Sequence, residues 1–315
     1  MEVAPARRPR MAPTLPPGAL IEPRHTLPWW VRVPRRWWLS VVKRVASPTC
    51  DRFAARVPAL RLAAERLSKR AHRTDLEVCG APFRVDLLRR CASRSEFLGG
   101  RWHAPVLAMV RACVTPGMTT VDVGAGIGLV AVHMGEVAGP EGTVLAIEPE
   151  ARNQEILAFN ARHCRWRNVV PIHTAVGDRV GQSSLWVSPR DGGDHRTVAG
   201  VEDRARVTVP MTTIDEIADR RRAQVHFARI AAQGAELSIL RGMRSTLSHP
   251  GFRGVVIQVW PHALRAAGED PVELLDRLRT AGLLCANAPA ADADPAAFLA
   301  SIPGSAAKDL IYLRV

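Results

Sequence analysis

The stretch Thr119-Thr120-Val121-Asp122-Val123-Gly124-Ala125-Gly126-Ile127-Gly128-Leu129-Val130 restricts the folds open to this chain more than any other. Val121 and Val123 are β-branched residues in a short apolar run, the texture of a strand covered on both faces of a parallel sheet. The glycines that follow predict a loop opening into a helix, where bare backbone lets a ligand approach the N–H groups of a helix start. Their spacing is Gly-x-Gly-x-Gly behind an acid, with Leu at 129, so the loop departs from the Gly-x-Gly-x-x-Gly of dinucleotide sites.

A loop of this kind calls for a partner on the next strand. The run Val144-Leu145-Ala146-Ile147-Glu148 supplies an acid 20 residues beyond Gly128, the length that takes a chain down one helix and back up one strand to the same edge of a sheet. A carboxylate placed there can accept hydrogen bonds from both hydroxyls of a ribose. Either cue alone also occurs as a plain turn or a helix cap. The two at this separation predict a ligand site.

The rest of the chain alternates around this pair. Upstream, residues 76–86 read as a hairpin turning at Gly80. Residues 105–113 read as a helix with Val106, Met109, Val110 and Cys113 on one face, ended by Pro116-Gly117 and expected to lie over the pocket. Downstream come a helix over 129–137, a strand over 143–147, a helix marked by Leu157, Ala161 and Cys164, and a third strand over 169–176 closed by Gly177-Asp178. Short alternating runs from 181 to 211 predict a hairpin-like insertion beside the site. Regular order resumes with a strand over 225–230, a helix carrying Leu237, Leu240 and Leu247, and a strand over 255–260. A helix opening at Asp270-Pro271 and ending at Gly282 follows, then strands at 283–286 and 310–315 with an Ala- and Pro-rich loop between them. Strands alternating with helices in this way imply an α/β domain with a parallel sheet and right-handed crossovers, occupying residues 76–315.

A chain of 315 residues holds one such domain and an appendage. The formal charge of +13 belongs to the appendage: residues 1–75 carry 16 Lys and Arg against 5 Asp and Glu, and the remainder 27 against 25. A nearly neutral domain argues against nucleic acid as its partner. Residues 1–28, rich in Pro and Arg, are expected to be a disordered tail. Residues 29–75 are expected to form a basic helical extension. Within it Trp37, Trp38, Val41, Val42 and Val45 share one helical face and Arg36, Ser40, Lys43 and Arg44 the other. Such a helix docks its tryptophans on the domain, makes peripheral membrane contact through residues 29–48, or contacts nucleic acid, in that order of expectation. The six cysteines include no Cys-x-x-Cys pair, and no apolar run approaches the roughly 18 residues of a membrane span. A cytoplasmic protein is expected, with the inner membrane surface as the second location. No His, Cys and Asp grouping has metal-site spacing, so no metal is expected.

From Arg101 to its end the chain resembles the FkbM-like family of S-adenosylmethionine-dependent methyltransferases. The matching phrases are Pro116-Gly117-Met118-Thr119 leading into Val121-Asp122-Val123-Gly124, then Gly139-Pro140-Glu141-Gly142, Ile147-Glu148-Pro149, Ala175-Val176-Gly177-Asp178, Thr213-Ile214-Asp215, and Gln233-Gly234-Ala235-Glu236 followed by Leu240-Arg241-Gly242. The resemblance implies a class I, Rossmann-like fold: a seven-stranded, mostly parallel sheet with its last strand antiparallel and helices on both faces. It also implies S-adenosyl-L-methionine as cofactor and O-methylation of a hydroxyl on a sugar, lipid or natural-product small molecule. In that reading Asp122 organises the loop, and Gly124, Ala125, Gly126 and Gly128 admit the methionine portion and ribose. Glu148 takes the ribose hydroxyls, and the adenine lies near Val176 and Asp178.

The chain departs from the family at three places. Where members carry Lys-Ile-Asp-Val-Glu/Gln-Gly, this chain has Arg229-Ile230-Ala231-Ala232-Gln233-Gly234, so an aspartate is replaced by Ala231. Gln258 stands for a frequent Glu in Glu-x-His-Pro, and His103 follows Trp102 where an acid is common. A hydroxyl acceptor gains from a general base, and the candidates are His103, His262 and Glu236. Arg229 is suited either to an anionic substrate group or to capping its strand. Three functions are therefore in view: an active O-methyltransferase, a cofactor-binding protein without transfer activity that serves as a binding or scaffold partner, and a dinucleotide-dependent oxidoreductase. The glycine spacing argues against the last.

Overall fold

The computed structural model describes residues 73–86, 103–188, 193–197, 204–304 and 306–314. The expected tail, the basic helix over 35–45 and its membrane contact lie outside the described residues. The extension predicted to run to residue 75 gives way at Arg73 to β1 (Arg73–Val78), which pairs antiparallel with β2 (Ala81–Asp86).

After α1 (Ala104–Cys113) the chain runs through β3 (Thr119–Val123), α2 (Leu129–Ala138), β4 (Thr143–Ile147), α3 (Ala151–His163) and β5 (Val169–Ile172). A small sheet follows, made of β6 (Ala175–Val176), β7 (Gly181–Val187) and β8 (Ala205–Thr212). The second half comprises α4 (Ile214–Arg221), β9 (Phe227–Ile230), α5 (Glu236–Arg241), α6 (Arg244–Ser248), β10 (Gly254–Val259), α7 (Pro261–Ala266), α8 (Pro271–Thr280), β11 (Leu283–Cys285), α9 (Ala290–Ala293), α10 (Pro295–Ala300) and β12 (Lys308–Arg314).

Seven strands form the main sheet in the order β11-β12-β10-β9-β3-β4-β5. β12 runs antiparallel to β10 and β11, and the others are parallel. The family resemblance implied this arrangement, antiparallel last strand included. Strand order reverses at β3, which has β4 on one side and β9 on the other, and such a switch point leaves a crevice at the carboxyl ends of the strands.

Alternation along each strand feeds two cores. Val121, Val123, Leu145, Ile147, Ala228 and Ile230 meet the helices of the second half, while Val144, Ala146, Phe227 and Val256 meet α1, α2 and α3. Capping side chains set several helix starts: Thr213, Asp270 and Asp294 accept from N–H groups in the first turns of α4, α8 and α10. Each such cap contributes about 1 kcal/mol.

Three elements differ from expectation. The third strand is two: β5 stays in the main sheet and β6 pairs with β8, the intervening Thr174 hydroxyl donating to the Pro210 carbonyl at 3.0 Å. The helix through Leu237, Leu240 and Leu247 is divided into α5 and α6 at Gly242, where a Cβ would collide with the Gly177 carbonyl. The Ala- and Pro-rich loop contains α9 and α10, since alanine favours helix and Pro295 occupies the first turn behind the Asp294 cap. Among the described residues no helix is long and apolar enough to cross a membrane.

Candidate functional site

The site starts from the end of β3. The N–H groups of Gly124 and Ala125 both donate to the Ile147 carbonyl at 3.0 Å, turning the chain sharply off the strand. Gly124 has φ +73°, and a Cβ there would collide with the carbonyl oxygen of Ala231, which follows β9. The need for glycine is therefore close approach as well as handedness. Gly126, at φ +56°, is different: nothing lies within 4 Å of the place its Cβ would take. That open cradle is where another molecule can rest against the backbone.

Glu148, one residue past β4, faces this cradle. Its Oε2 accepts the Gly126 N–H at 2.8 Å and its Oε1 the Glu150 N–H at 2.9 Å. Burial pushes its carboxyl up to about 7, against the opposing pull of the Glu150 and Gly126 N–H groups. Glu150 caps α3 by accepting the Asn153 N–H at 2.7 Å, and its Oε2 lies 3.9 Å from Nε2 of His195.

These groups surround a cavity of about 90 Å³ whose lining includes Gly124, Gly126, Glu148, Val176, His195 and Gln233. Ala231 also faces it, and Glu148 is the one carboxylate among the described lining residues. Asp122, Ala125, Gly128 and Asp178 do not line it. Asp178 pairs with Arg179 at 3.1 Å in a separate hollow with Thr213, Asp215 and Arg241. Gly128 sits at the N-cap of α2, packed on Leu157.

Asp122 and Arg229 lie below the cavity. The Asp122 carboxylate is fully buried, and Arg229 Nη1 is 3.2 Å from its Oδ1 while donating to the Gly124 carbonyl at 3.0 Å. Burial raises the Asp122 pKa, with the Arg229 charge and hydrogen bond opposing. Arg229 thus brackets the end of β3 to the glycine turn and is turned inward, away from the role of capping its strand.

The candidate bases separate. Glu236 is buried and accepts the N–H groups of Ala232 and Gly234, each at 2.8 Å, so both oxygens are committed to the loop after β9. That loop carries Gln233 at φ +54°, a left-handed conformation uncommon for a residue with a side chain. Gln233 Nε2 donates to Gln258 Oε1 at 3.5 Å, linking the cavity to β10. His262 is exposed on α7, its ring 6.3 Å from that of Trp260. His103 precedes α1 at φ +50°, and burial, reinforced by the Arg229 charge, lowers its pKa to about 4. α1 itself packs on α2 and β10 rather than lining the cavity. Among the described residues no group of three or more His, Cys, Asp or Glu could hold a metal ion.

Sequence reasoning missed Glu150, His195 and Gln233. Glu150 could have been found as an acid two residues past Glu148 at a helix start. Gln233 is marked by the family's Glu/Gln-Gly phrase, whereas nothing local marks His195.

A family model described as the methyltransferase FkbM domain matches residues 122–283, half of the chain, from Asp122 to β11. No curated protein matches. Among solved structures the chain is similar to methyltransferase FkbM from Methylobacillus flagellatus KT, with 21% identity and a TM-score of 0.33 over 45% of this chain and 32% of that one. The chain thus spans about a third of that relative. It is also similar to Aeropyrum pernix fibrillarin, crystallised with natively bound S-adenosyl-L-methionine, at 14% identity and a TM-score of 0.39 over 67% of this chain and 74% of that one. A third is M. jannaschii TYW2 in complex with AdoMet, at 15% identity and a TM-score of 0.38 over 78% and 87%.

Proposed function

The chain belongs to the FkbM family of methyltransferases, whose methyl donor is S-adenosylmethionine, and from that premise we propose that it methylates a hydroxyl oxygen on a sugar, lipid or natural-product small molecule. The observation that carries the reading is Glu148 facing the open cradle at Gly126.

The residues present fit the donor. A carboxylate beside a bare backbone turn is suited to a ribose diol, and the apolar wall at Val123, Ile147, Val176 and Ile239 is suited to a flat base. When bound, the sulfonium supplies an already activated methyl group. The chain then has to align an oxygen with it, and orientation of this kind can lower a barrier by roughly 7–11 kcal/mol. The Gln233–Gln258 pair stands on the β9 and β10 side of the cavity, where amide groups can hold a neutral hydroxyl without carrying charge. Of the three candidate bases, Glu236 is committed to its loop, His262 is exposed, and His103, like both, is not among the residues that line the cavity. The lowered pKa of His103 keeps it neutral at pH 7, able to accept a hydrogen bond and a weak base at best.

Ala231 in the wall of the cavity favours a second reading, a donor-binding protein without transfer. Calorimetry on the full chain tests the shared premise: S-adenosylmethionine binds, NAD does not, and Glu148→Ala weakens binding at least tenfold, the scale of a lost hydrogen bond to a charged group at about 1.5–3 kcal/mol. NAD binding in place of S-adenosylmethionine would refute it. Mass spectrometry of host extracts incubated with the protein and donor separates the two readings. A methyl gain on a small molecule marks the enzyme, whereas activity arising only in Ala231→Asp marks the silent binder.

A further inference from the structure

The outer wall of the cavity does not come from the main sheet. Gly193, His195 and Thr197 form it, from the connection between β7 and β8. This stretch is tied to β7, since Trp186 and Arg196 exchange backbone hydrogen bonds of 2.7 and 3.2 Å. Ser188 N–H donates to His195 Nδ1 at 3.1 Å, which leaves Nε2 as the protonated nitrogen of a neutral ring. Asp194 accepts from Arg196 Nε at 2.9 Å and also pairs with Arg204.

On the main-sheet side the stretch touches both banks of the crevice. His195 Nε2 lies 3.9 Å from Glu150, which follows β4, and the His195 side chain is 5% exposed. The Arg196 guanidinium lies over the Trp260 ring, 5.0 Å from its centroid, and Trp260 follows β10. In sheet order β9 and β3 stand between those two strands. The adjacent residues His195 and Arg196 therefore reach opposite banks of the crevice, and the stretch 193–197 lies over the glycine turn as a strap.

The space left beneath is small. Pockets for small organic ligands run to about 300–1,000 Å³, against about 90 Å³ here. The strap thus narrows the space over the glycine turn, where a molecule with a nucleoside and an amino acid would lie. Resting on the donor reading of the same cavity, we propose that His195 is a donor-holding residue delivered by this strap, and that the Arg196–Trp260 clasp must open for the donor to enter or leave.

The test uses the full chain, with S-adenosylhomocysteine as probe, in stopped-flow tryptophan fluorescence and calorimetry. Loosening the clasp with Arg196→Gln or Trp260→Phe is expected to raise association and dissociation rates together, each about tenfold, with little change in Kd. His195→Ala is expected to raise dissociation more than association and weaken Kd about tenfold. The effect of the double variant Arg196→Gln/Trp260→Phe should fall short of the product of the single effects, since the Arg196–Trp260 contact is shared between them. Circular dichroism and the melting temperature of each variant separate a loosened clasp from a fold that failed. Rates within twofold of wild type in folded clasp variants, with an unchanged Kd for His195→Ala, would overturn the strap and leave the donor reading intact. A wild-type chain that binds no probe overturns both.

Discussion

Glu148 is the residue at which charge, burial and binding meet. Its carboxyl, raised from 4.5 to about 7 by burial, binds a proton in the folded chain that the unfolded chain has released over that interval. The group's contribution to stability is full below pH 4.5 and is lost as pH rises through 7, on the order of 3 kcal/mol over the window. Urea unfolding of wild type and Glu148→Gln should show the variant gaining on wild type by that order between pH 5 and 8. Asp122, raised in the same direction, is common to both proteins and drops out of the difference. On the proposed donor reading, binding has the opposite slope, because ribose hydroxyls donating to Glu148 would favour its charged form. Affinity for S-adenosylmethionine is expected to rise from pH 6 to 8 in wild type and to be flat in Glu148→Gln, read by calorimetry. Arg229 makes the sharper stability prediction. Arg229→Met leaves Asp122 buried without its partner, a change that costs about 3–5 kcal/mol, and the urea midpoint should fall accordingly.

At the scale of elements, the loop after β9 is held against its own preference. Gln233 sits at φ +54° because Glu236 draws the N–H groups on either side of it to one carboxylate. Gln233→Gly is therefore expected to relieve a left-handed conformation that costs about 1–2 kcal/mol, against about 0.4–1 kcal/mol of backbone freedom given to the unfolded chain, a small net gain measured as a higher melting temperature, while it removes the link to Gln258. Glu236→Ala frees the loop and should lower the melting temperature. Most elements were legible from periodicity, since buried parallel strands and amphipathic helices write their faces into the chain. The divisions were not. Residues 169–176 read as one apolar strand, and what parts β5 from β6 is the arrival of β8, a partner more than thirty residues away. Gly242 reads as an unremarkable residue until the Gly177 carbonyl is seen against it.

In the whole molecule, the meeting of the glycine turn with Glu148 could be read because it rests on fixed distances: one helix and one strand separate them, and the sheet returns both to one edge. His195 and Gln233 reach the cavity from the second sheet and from a strained loop, and no spacing rule ties either to the turn. Asp178, whose Gly-Asp phrase matches the family, stands in the neighbouring hollow, a placement that no local pattern foretells. The departures at Ala231 and Gln258 could be seen as letters; that the amides of Gln233 and Gln258 approach one another could not.

The bracket at the foot of β3 joins two strands through one side chain. Arg229, rooted in β9, grips both Asp122 of β3 and the carbonyl of Gly124. A change in β9 that moves this cation therefore also moves the glycine turn, whatever that turn holds. Substitutions at 229 and 122 are expected to be tolerated only as a pair.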